Sequence, residues 1–329
     1  MNKWELLSLL REQGGDKYIS GGEISKKYGV TRAAVWKCVN ELKKLGYEIE
    51  SKTNNGYKII SAGGHDILNA HEISSRLQKK NSIMKYEVTY KKSTDSTNGD
   101  AKKSSAKNSL LIVAEEQTAG KGRYGRSFYS QNNGGIYFSL KISQNNINLN
   151  IGDITFFPLI AAAAVSRAVY SVCGIELSVK WPNDLLYKTG GGYRKLCGIL
   201  TEASIEAETR GVSYVIVGIG LNVNNNITDF PAEIRNIASS LKIISGKRYN
   251  RADILAEIVD DFTQLMYMPR KRLLDEYRKR LLVGVDISFA QNGRIFKGKS
   301  MGINESGNLI AVLENGEETV VQSGEITFV

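Results

Sequence analysis

Directly after an apolar run at residues 110–116, the segment Ala119-Gly120-Lys121-Gly122-Arg123-Tyr124-Gly125-Arg126 interleaves three glycines with three cations. Glycine lets backbone amides approach a ligand closely, and lysine and arginine bring positive charge and donors matched to phosphate or carboxylate. A basic glycine loop can also be a plain solvated turn, so its companions decide its reading. Lys180-Trp181-Pro182-Asn183-Asp184 sets an amide and a carboxylate after a buried-looking run at 175–181. Lys195-Leu196-Cys197-Gly198-Ile199-Leu200 sets a lysine at the start of an apolar strand. Polar groups at strand ends often line sites, although each also reads as a cap or a surface charge.

Other chemistries find little material. The chain has two histidines, His65 and His71, so Ser-His-Asp and two-histidine metal schemes are poorly supplied. Cys38, Cys173 and Cys197 are odd in number, scattered and without a C-x-x-C pair, which fits buried free thiols better than disulfides or a thiolate zinc site. Gly293-Arg294-Ile295-Phe296-Lys297-Gly298-Lys299-Ser300 satisfies G-x-x-x-x-G-K-S letter for letter. That motif holds phosphate only where a strand feeds a loop that opens a helix, and residues 301–309 carry no helical periodicity. It is read as a strand between turns.

The elements that must position the basic loop fall into three stretches. Trp4, Leu7 and Leu10 recur at helical spacing, Ser20 and Glu23 form a capping-box pair, and Thr31 can cap a helix whose apolar face is Ala34, Val35, Val39, Leu42 and Leu45. Gly46 ends it. Two short strand-like runs around Thr53-Asn54-Asn55-Gly56 then predict a hairpin, making helix, helix, turn, helix and wing. Ser61-Ala62-Gly63-Gly64 reads as a linker. From 84 to about 219, strands at 109–115, 135–142, 175–181, 196–202 and 214–219 surround an apolar helix near 154–172, and residues 251–281 predict one or two helices. Turn signals through 285–329 predict a small β-barrel. The fold class is α+β.

At 329 residues the chain exceeds the ~150 of a typical domain, so two or three domains are expected. No apolar run reads as long enough to cross a bilayer or serve as a secretory signal, which predicts a soluble cytoplasmic protein. The net charge of +10 suggests polyanionic partners such as DNA or nucleotide phosphates.

Taken together, the G-K-G-R-Y-G-R loop, K-W-P-N-D and K-L-C-G-I-L closely resemble the hallmarks of the biotin protein ligase family. Asp95-Ser96-Thr97-Asn98, Ala114-Glu115-Glu116-Gln117 and Gly218-Ile219-Gly220-Leu221-Asn222 fit the same order and spacing. The stretch Val30-Thr31-Arg32-Ala33-Ala34-Val35-Trp36-Lys37 resembles the helix-turn-helix of members that also repress biotin genes. Lys121 departs from the arginine often found in the loop, and Phe128 from a tryptophan.

The resemblance implies a winged helix at 1–62, a mixed α/β ligase domain at 66–281 and an SH3-like domain at 282–329. It implies an enzyme that makes biotinyl-5′-AMP from biotin and MgATP and passes biotin to a lysine of a biotin carboxyl carrier protein. Ser96, Thr97, Asn98, Gln117, Gly120, Lys121, Gly122, Arg123, Arg126, Lys195 and Gly198 would line the biotin and adenylate site. Lys195, Asp184 and Arg123 would act in catalysis, and Trp181, Asn183 and Asn222 would contact ATP, whose Mg²⁺ would need no direct protein ligand. A lipoate or octanoate ligase and a winged-helix sensor without catalysis are the competing readings. A helix-turn-helix from Gly21 to Asn40 would meet operator DNA through Thr31, Arg32 and Lys37. Residues 1–60 hold eleven Lys and Arg against seven Asp and Glu, an excess of only four, so two copies are expected on a two-fold site. The loop at 120–125 is expected to be mobile until the adenylate, acting as corepressor, orders it and promotes homodimer formation.

Overall fold

The computed structural model describes the chain apart from residues 15–16, 61–65, 132–133, 145–146, 148, 207–210, 292 and 329. The linker at 61–64, His65 and Asn292 therefore lie outside the described residues. The chain divides into two units, Met1–Glu72 and Ile73–Val329.

In the first unit α1 (Lys3–Glu12), α2 (Gly21–Tyr28) and α3 (Arg32–Lys44) precede a hairpin of β1 (Ile49–Lys52) and β2 (Gly56–Ile59). Each helix starts where a side chain takes its free N–H groups: Asn2 with Glu5, Ser20 with Glu23, and Thr31 on the Ala34 amide at 3.2 Å. Leu6, Leu10, Ile24, Val35, Val39, Leu42 and Ile59 form the core. The hairpin is tied to the segment before α2 by two backbone hydrogen bonds between Ile19 and Tyr57, at 2.9 and 3.0 Å. Gly56 is required there, because its φ is +108° and a Cβ would sit 2.0 Å from the Ile19 carbonyl oxygen. Arg32, Trp36 and Lys37 are exposed along α3. Glu72 is buried, accepts a 2.6 Å bond from the Tyr47 hydroxyl and pairs with Arg11 at 3.0 Å. Burial, reinforced by Glu72, pushes the Tyr47 hydroxyl pKa up.

The helix α4 (Ala70–Lys80) leads into the second unit, where β3 (Glu87–Thr94), α5 (Thr97–Lys103), β4 (Leu110–Gln117), β5 (Gly135–Ser143), α6 (Phe157–Cys173), β6 (Ser178–Lys180), β7 (Asp184–Thr189), β8 (Gly192–Ile205) and β9 (Val212–Asn222) follow. The strands build a seven-stranded sheet in the order β3-β4-β5-β9-β8-β7-β6, antiparallel except for β3–β4. After α7 (Leu241–Ser245), α8 (Arg251–Met266) packs on α6, and α9 (Arg270–Arg278) completes the helices. Arg167 of α6 pairs at 2.9 Å with Asp261 of α8, whose carboxyl burial pushes up to about 6 against the pull of that arginine.

One expectation needs correction. The helical stretch Ile151–Cys173 is long and apolar enough by length and composition to cross a membrane, although two-thirds of its 18-residue apolar window is buried inside the unit as a core helix.

The remaining strands, β10 (Asp286–Gln291), β11 (Arg294–Ile303), β12 (Leu309–Leu313), β13 (Glu318–Val321) and β14 (Ile326–Phe328), form an antiparallel sheet in the order β13-β12-β11-β10-β14. The G-x-x-x-x-G-K-S stretch lies mostly in β11, with no helix behind it. Gly298 packs so closely that a Cβ would meet the Val312 carbonyl oxygen at 2.4 Å.

Trp181, in the β6–β7 turn, donates its buried indole N–H to the Gly307 carbonyl at 2.9 Å and so ties this sheet to the larger one. Trp181→Phe keeps most of the ring but leaves that carbonyl unpaired. We expect it to cost about 1–3 kcal/mol of stability in chemical denaturation while the KM for nucleotide moves less than about twofold. A large nucleotide effect at unchanged stability would return Trp181 to the ligand.

Candidate active site

The middle of the sheet presents two rows of residues with glycines at their centre. Tyr137, Gly220, Gly198 and Asp184 are partners across β5, β9, β8 and β7, and Ser139, Gly218 and Leu200 form the next row. Side chains alternate along a strand, so both rows share a face. The glycines leave room that other groups fill. A Cβ on Gly220 would lie 2.3 Å from the Phe128 ring, one on Gly198 2.9 Å from it, and one on Gly218 2.2 Å from Asn98 Oδ1. Phe128 thus lies on a glycine floor with its ring centroid 6.5 Å from that of Tyr137.

Over this floor opens a cleft of about 790 Å³, counting the part open to solvent. Its walls include Ser96, Thr97, Asn98, Gln117, Lys121, Gly122, Arg123, Arg126, Asn183, Asp184, Lys195 and Gly198, segments that lie far apart in sequence.

One end is polar but uncharged. The Thr97 amide donates to Gln117 Oε1 at 2.9 Å, and Gln117 Nε2 donates to Ser130 Oγ at 3.0 Å. Asn98 Nδ2 donates to Glu202 at 2.8 Å, and Ser139 Oγ lies 2.7 Å from Thr97 Oγ1 and 2.5 Å from Asn98 Oδ1. Ser96 caps α5, its Oγ facing the Gly99 amide at 3.4 Å.

The other end is cationic. Lys195 Nζ sits 2.7 Å from Asp184 Oδ1, while Lys180 stands 4.0 Å from Asp184 and 4.0 Å from Glu325. Burial pulls the Lys180 ammonium below the ordinary lysine value, and Asp184 and Glu325 oppose that pull.

Lys195 is three residues inside β8, not at its start. Leu185 pairs with Cys197 but Leu186 with Lys195, so Leu196 is the extra residue of a β-bulge. Without the bulge Lys195 and Gly198, three apart, would point to opposite faces. With it, both line the cleft.

The basic loop is a hydrogen-bonded ribbon. Gln117 N–H donates to Ser130 at 2.8 Å, Phe128 N–H to Gly120 at 2.8 Å, and Gly122 N–H to Arg126 at 2.7 Å. Arg123 donates to Asn183 Oδ1 at 3.2 Å and lies over the Tyr124 ring, and Arg126 pairs with Glu325 at 2.7 Å.

Three positions expected at the ligand do not line this cleft. Trp181 is spent on Gly307, and Asn222, at the end of β9, donates its buried amide to the Ser239 carbonyl at 3.0 Å. Gly120 supports the ribbon from behind: a Cβ there would strike the Phe128 carbonyl oxygen at 2.5 Å. Conversely, Ser139 and Glu325 were not foreseen, since a serine inside an apolar strand and a glutamate near the carboxy terminus carry no local motif. Among the described residues, no group of three or more His, Cys, Asp or Glu could hold a metal ion.

Comparison with known proteins finds matches in three stretches of the chain. Residues 87–222 match the biotin/lipoate A/B protein ligase family, residues 5–58 an HTH domain, and residues 284–329 the biotin protein ligase C-terminal domain. The bifunctional ligase/repressor BirA of Bacillus spizizenii is 35% identical over 317 residues, 93% of each chain, and that of Bacillus subtilis is 34% identical over the same share. The biotin protein ligase from Aquifex aeolicus, solved in complex with biotin and ATP, superposes with a TM-score of 0.61 at 28% identity, covering 74% of this chain and 98% of its own. With relatives this similar along nearly its whole length, the chain belongs to the BirA family of bifunctional biotin ligase/repressors.

Proposed function

We propose that this chain is an ATP-dependent biotin protein ligase and a biotin-responsive repressor, a function carried chiefly by one observation: the cleft is neutral and hydrogen-bonding at one end and cationic at the other. Biotin matches it, having a neutral ureido ring and a carboxylate that must meet a phosphate. A lipoyl dithiolane would leave the Thr97–Gln117 end unused.

In the first step a biotin carboxylate oxygen attacks the α-phosphorus of ATP, and pyrophosphate leaves. In the second, the ε-amine of an acceptor lysine attacks the acyl carbon of biotinyl-5′-AMP, forming an amide and releasing AMP. Both steps load negative charge on oxygen, so pre-placed cations and positioning supply the catalysis. Lys195 meets the charge on carboxylate and α-phosphate. As the anion draws Lys195, Asp184 is freed to take a proton from the attacking lysine. Arg123 and Arg126 hold the phosphate and acyl end. Asn183 would contact ATP or the hydration shell of its magnesium, which would be brought with ATP without direct protein ligands and would supply further charge neutralisation there.

We assign the acceptor as a biotin carboxyl carrier protein, such as that of acetyl-CoA carboxylase, in the cytoplasm. We keep the division into 1–62, 66–281 and 282–329, and place Thr31, Arg32 and Lys37 toward operator DNA in a homodimer. Biotinyl-5′-AMP, pairing with Lys121, Arg123 and Arg126, would favour that dimer and thereby DNA binding.

The deciding experiment offers ATP, radiolabelled biotin or lipoate, and a carrier domain: biotin should become acid-stable on the carrier, and lipoate labelling or none would overturn the assignment. Arg123→Gly should release biotinyl-5′-AMP and raise labelling of bystander lysines above wild type; unchanged background removes Arg123 from retention. Sedimentation and operator binding should both tighten when biotin and ATP are present together. Assembly and DNA affinity indifferent to them would break the coupling.

A further inference from the structure

We propose that Lys180, at the end of β6, is a positioning residue of the ligation site: as the anionic ligand draws Lys195 and Arg126 to itself, Lys180 takes over the carboxylates they leave, Asp184 and Glu325. The inference rests on the reading of the cleft as the biotin and adenylate site and adds a residue that acts through others.

The charges alternate in sign from one end of this group to the other. Lys195 Nζ lies 2.7 Å from Asp184 Oδ1, and Asp184 Oδ2 lies 4.0 Å from Lys180 Nζ. Lys180 Nζ lies in turn 4.0 Å from Glu325 Oε1, and that same oxygen lies 2.7 Å from Arg126 Nη1. Lys180 and Asp184 are direct partners across β6 and β7, so both project from the same face of the sheet. The ring of Phe328 on β14 stands 5.6 Å from the Lys180 ammonium. Asp184, Glu325, Lys195 and Arg126 all line the cleft, and Lys180 does not. It stands behind them.

Exposure separates the outer cations from the inner one. The Arg126 side chain is 69% exposed and that of Lys195 38%, whereas that of Lys180 is 15% exposed. The outer two can turn toward a ligand while Lys180 stays in place. Its contacts to both carboxylates are at the outer limit of an ion pair, although a charge-assisted hydrogen bond closes to about 2.7–2.9 Å. Lys180 is thus held midway while Lys195 and Arg126 occupy the carboxylates at 2.7 Å. Among the described residues, no other cation pairs with both Asp184 and Glu325.

A largely buried carboxylate stripped of its closest partner resists the loss, so the carboxylates compete with the ligand for Lys195 and Arg126. Lys180 weakens that competition by pairing with whichever carboxylate is vacated. Burial pulls its ammonium below the ordinary lysine value; Asp184 and Glu325 oppose this, and Lys195 and Arg126 add to it. Movement of the outer cations toward a phosphate eases their repulsion and tightens the hold of Lys180 on both carboxylates. Asp184 belongs to the large sheet and Glu325 to the turn before β14, so one ammonium steadies cleft groups from both sheets during the exchange.

The test compares binding of biotin and of biotinol-5′-AMP, a stable adenylate analogue that keeps the phosphate, to the full-length protein. Lys180→Met removes the charge and keeps most of the length. It should weaken the analogue about tenfold or more while biotin affinity changes less than about threefold, with thermal unfolding used to verify the fold. Lys180→Met/Glu325→Gln, which also removes one of the carboxylates that hold the outer cations, should recover most of the lost affinity for the analogue. Should the methionine variant fail to fold, Lys180→Gln should show the same split between the two ligands. A wild-type protein that binds neither biotin nor the analogue refutes the site reading itself. Where wild type binds both, a folded Lys180 variant that holds the analogue equally well, that loses both ligands equally, or that Glu325→Gln does not rescue refutes the role of Lys180 alone.

Discussion

The contact between Lys195 and Asp184, 2.7 Å across neighbouring strands, is the constraint around which the second unit is arranged. A lysine and an aspartate brought together across neighbouring strands fix each other's side chains and give the cleft a defined charge pattern. Lys180 at 4.0 Å stands on the other side of Asp184, so one carboxylate serves two ammonium groups. A ligand anion entering the cleft would bring further negative charge beside these two ammonium groups. The β-bulge at Leu196 is what lets the lysine share a face with Gly198 and Asp184.

The rest of the site is made as much by removing side chains as by adding them. Gly198 and Gly220 let the Phe128 ring approach the sheet closely, and Gly218 admits Asn98. Phe128 in turn belongs to the ribbon that carries Lys121, Arg123 and Arg126, so the cations are anchored through an aromatic ring to the floor they surround. The second sheet also reaches the cleft, since Glu325 pairs with Arg126 at 2.7 Å. An apolar, glycine-floored middle with hydrogen-bonding groups at one end and cations at the other gives a ligand one orientation.

Much of this was legible in the sequence because it is written locally. Capping pairs, the Gly56 hairpin, the basic loop and the lysine-bearing strand each announce themselves within a few residues. Arg123, Asp184 and Lys195 lay in motifs of that kind, whereas Ser96 and Gln117 were placed at the site by the family resemblance alone. What was missed depends on register and distance. Trp181 and Asn222 sit in motif segments, yet their side chains are consumed by Gly307 and Ser239, which lie far along the chain or in a loop without a signature. The contacts of Ser139 with Thr97 and Asn98 arise only where β5 meets α5, and the bulge beside Lys195 is a property of two strands together. The apolar helix expected near 154–172 is present and largely buried, although it also passes the length and composition test for a membrane span, because those two properties do not distinguish a core helix from a span.

The central claim is that Lys195, held by Asp184, meets charge that grows as the adenylate forms. Rapid-quench measurement of biotinyl-5′-AMP formation in single turnovers tests it directly, with biotin affinity measured alongside, for Lys195→Ala, Asp184→Asn and the double variant. Lys195→Ala should slow adenylation by about 10²–10³-fold while biotin affinity changes only a few-fold, and Asp184→Asn should add little once Lys195 is gone. Equal losses of affinity and rate, or effects of the two substitutions that simply multiply, would contradict the account.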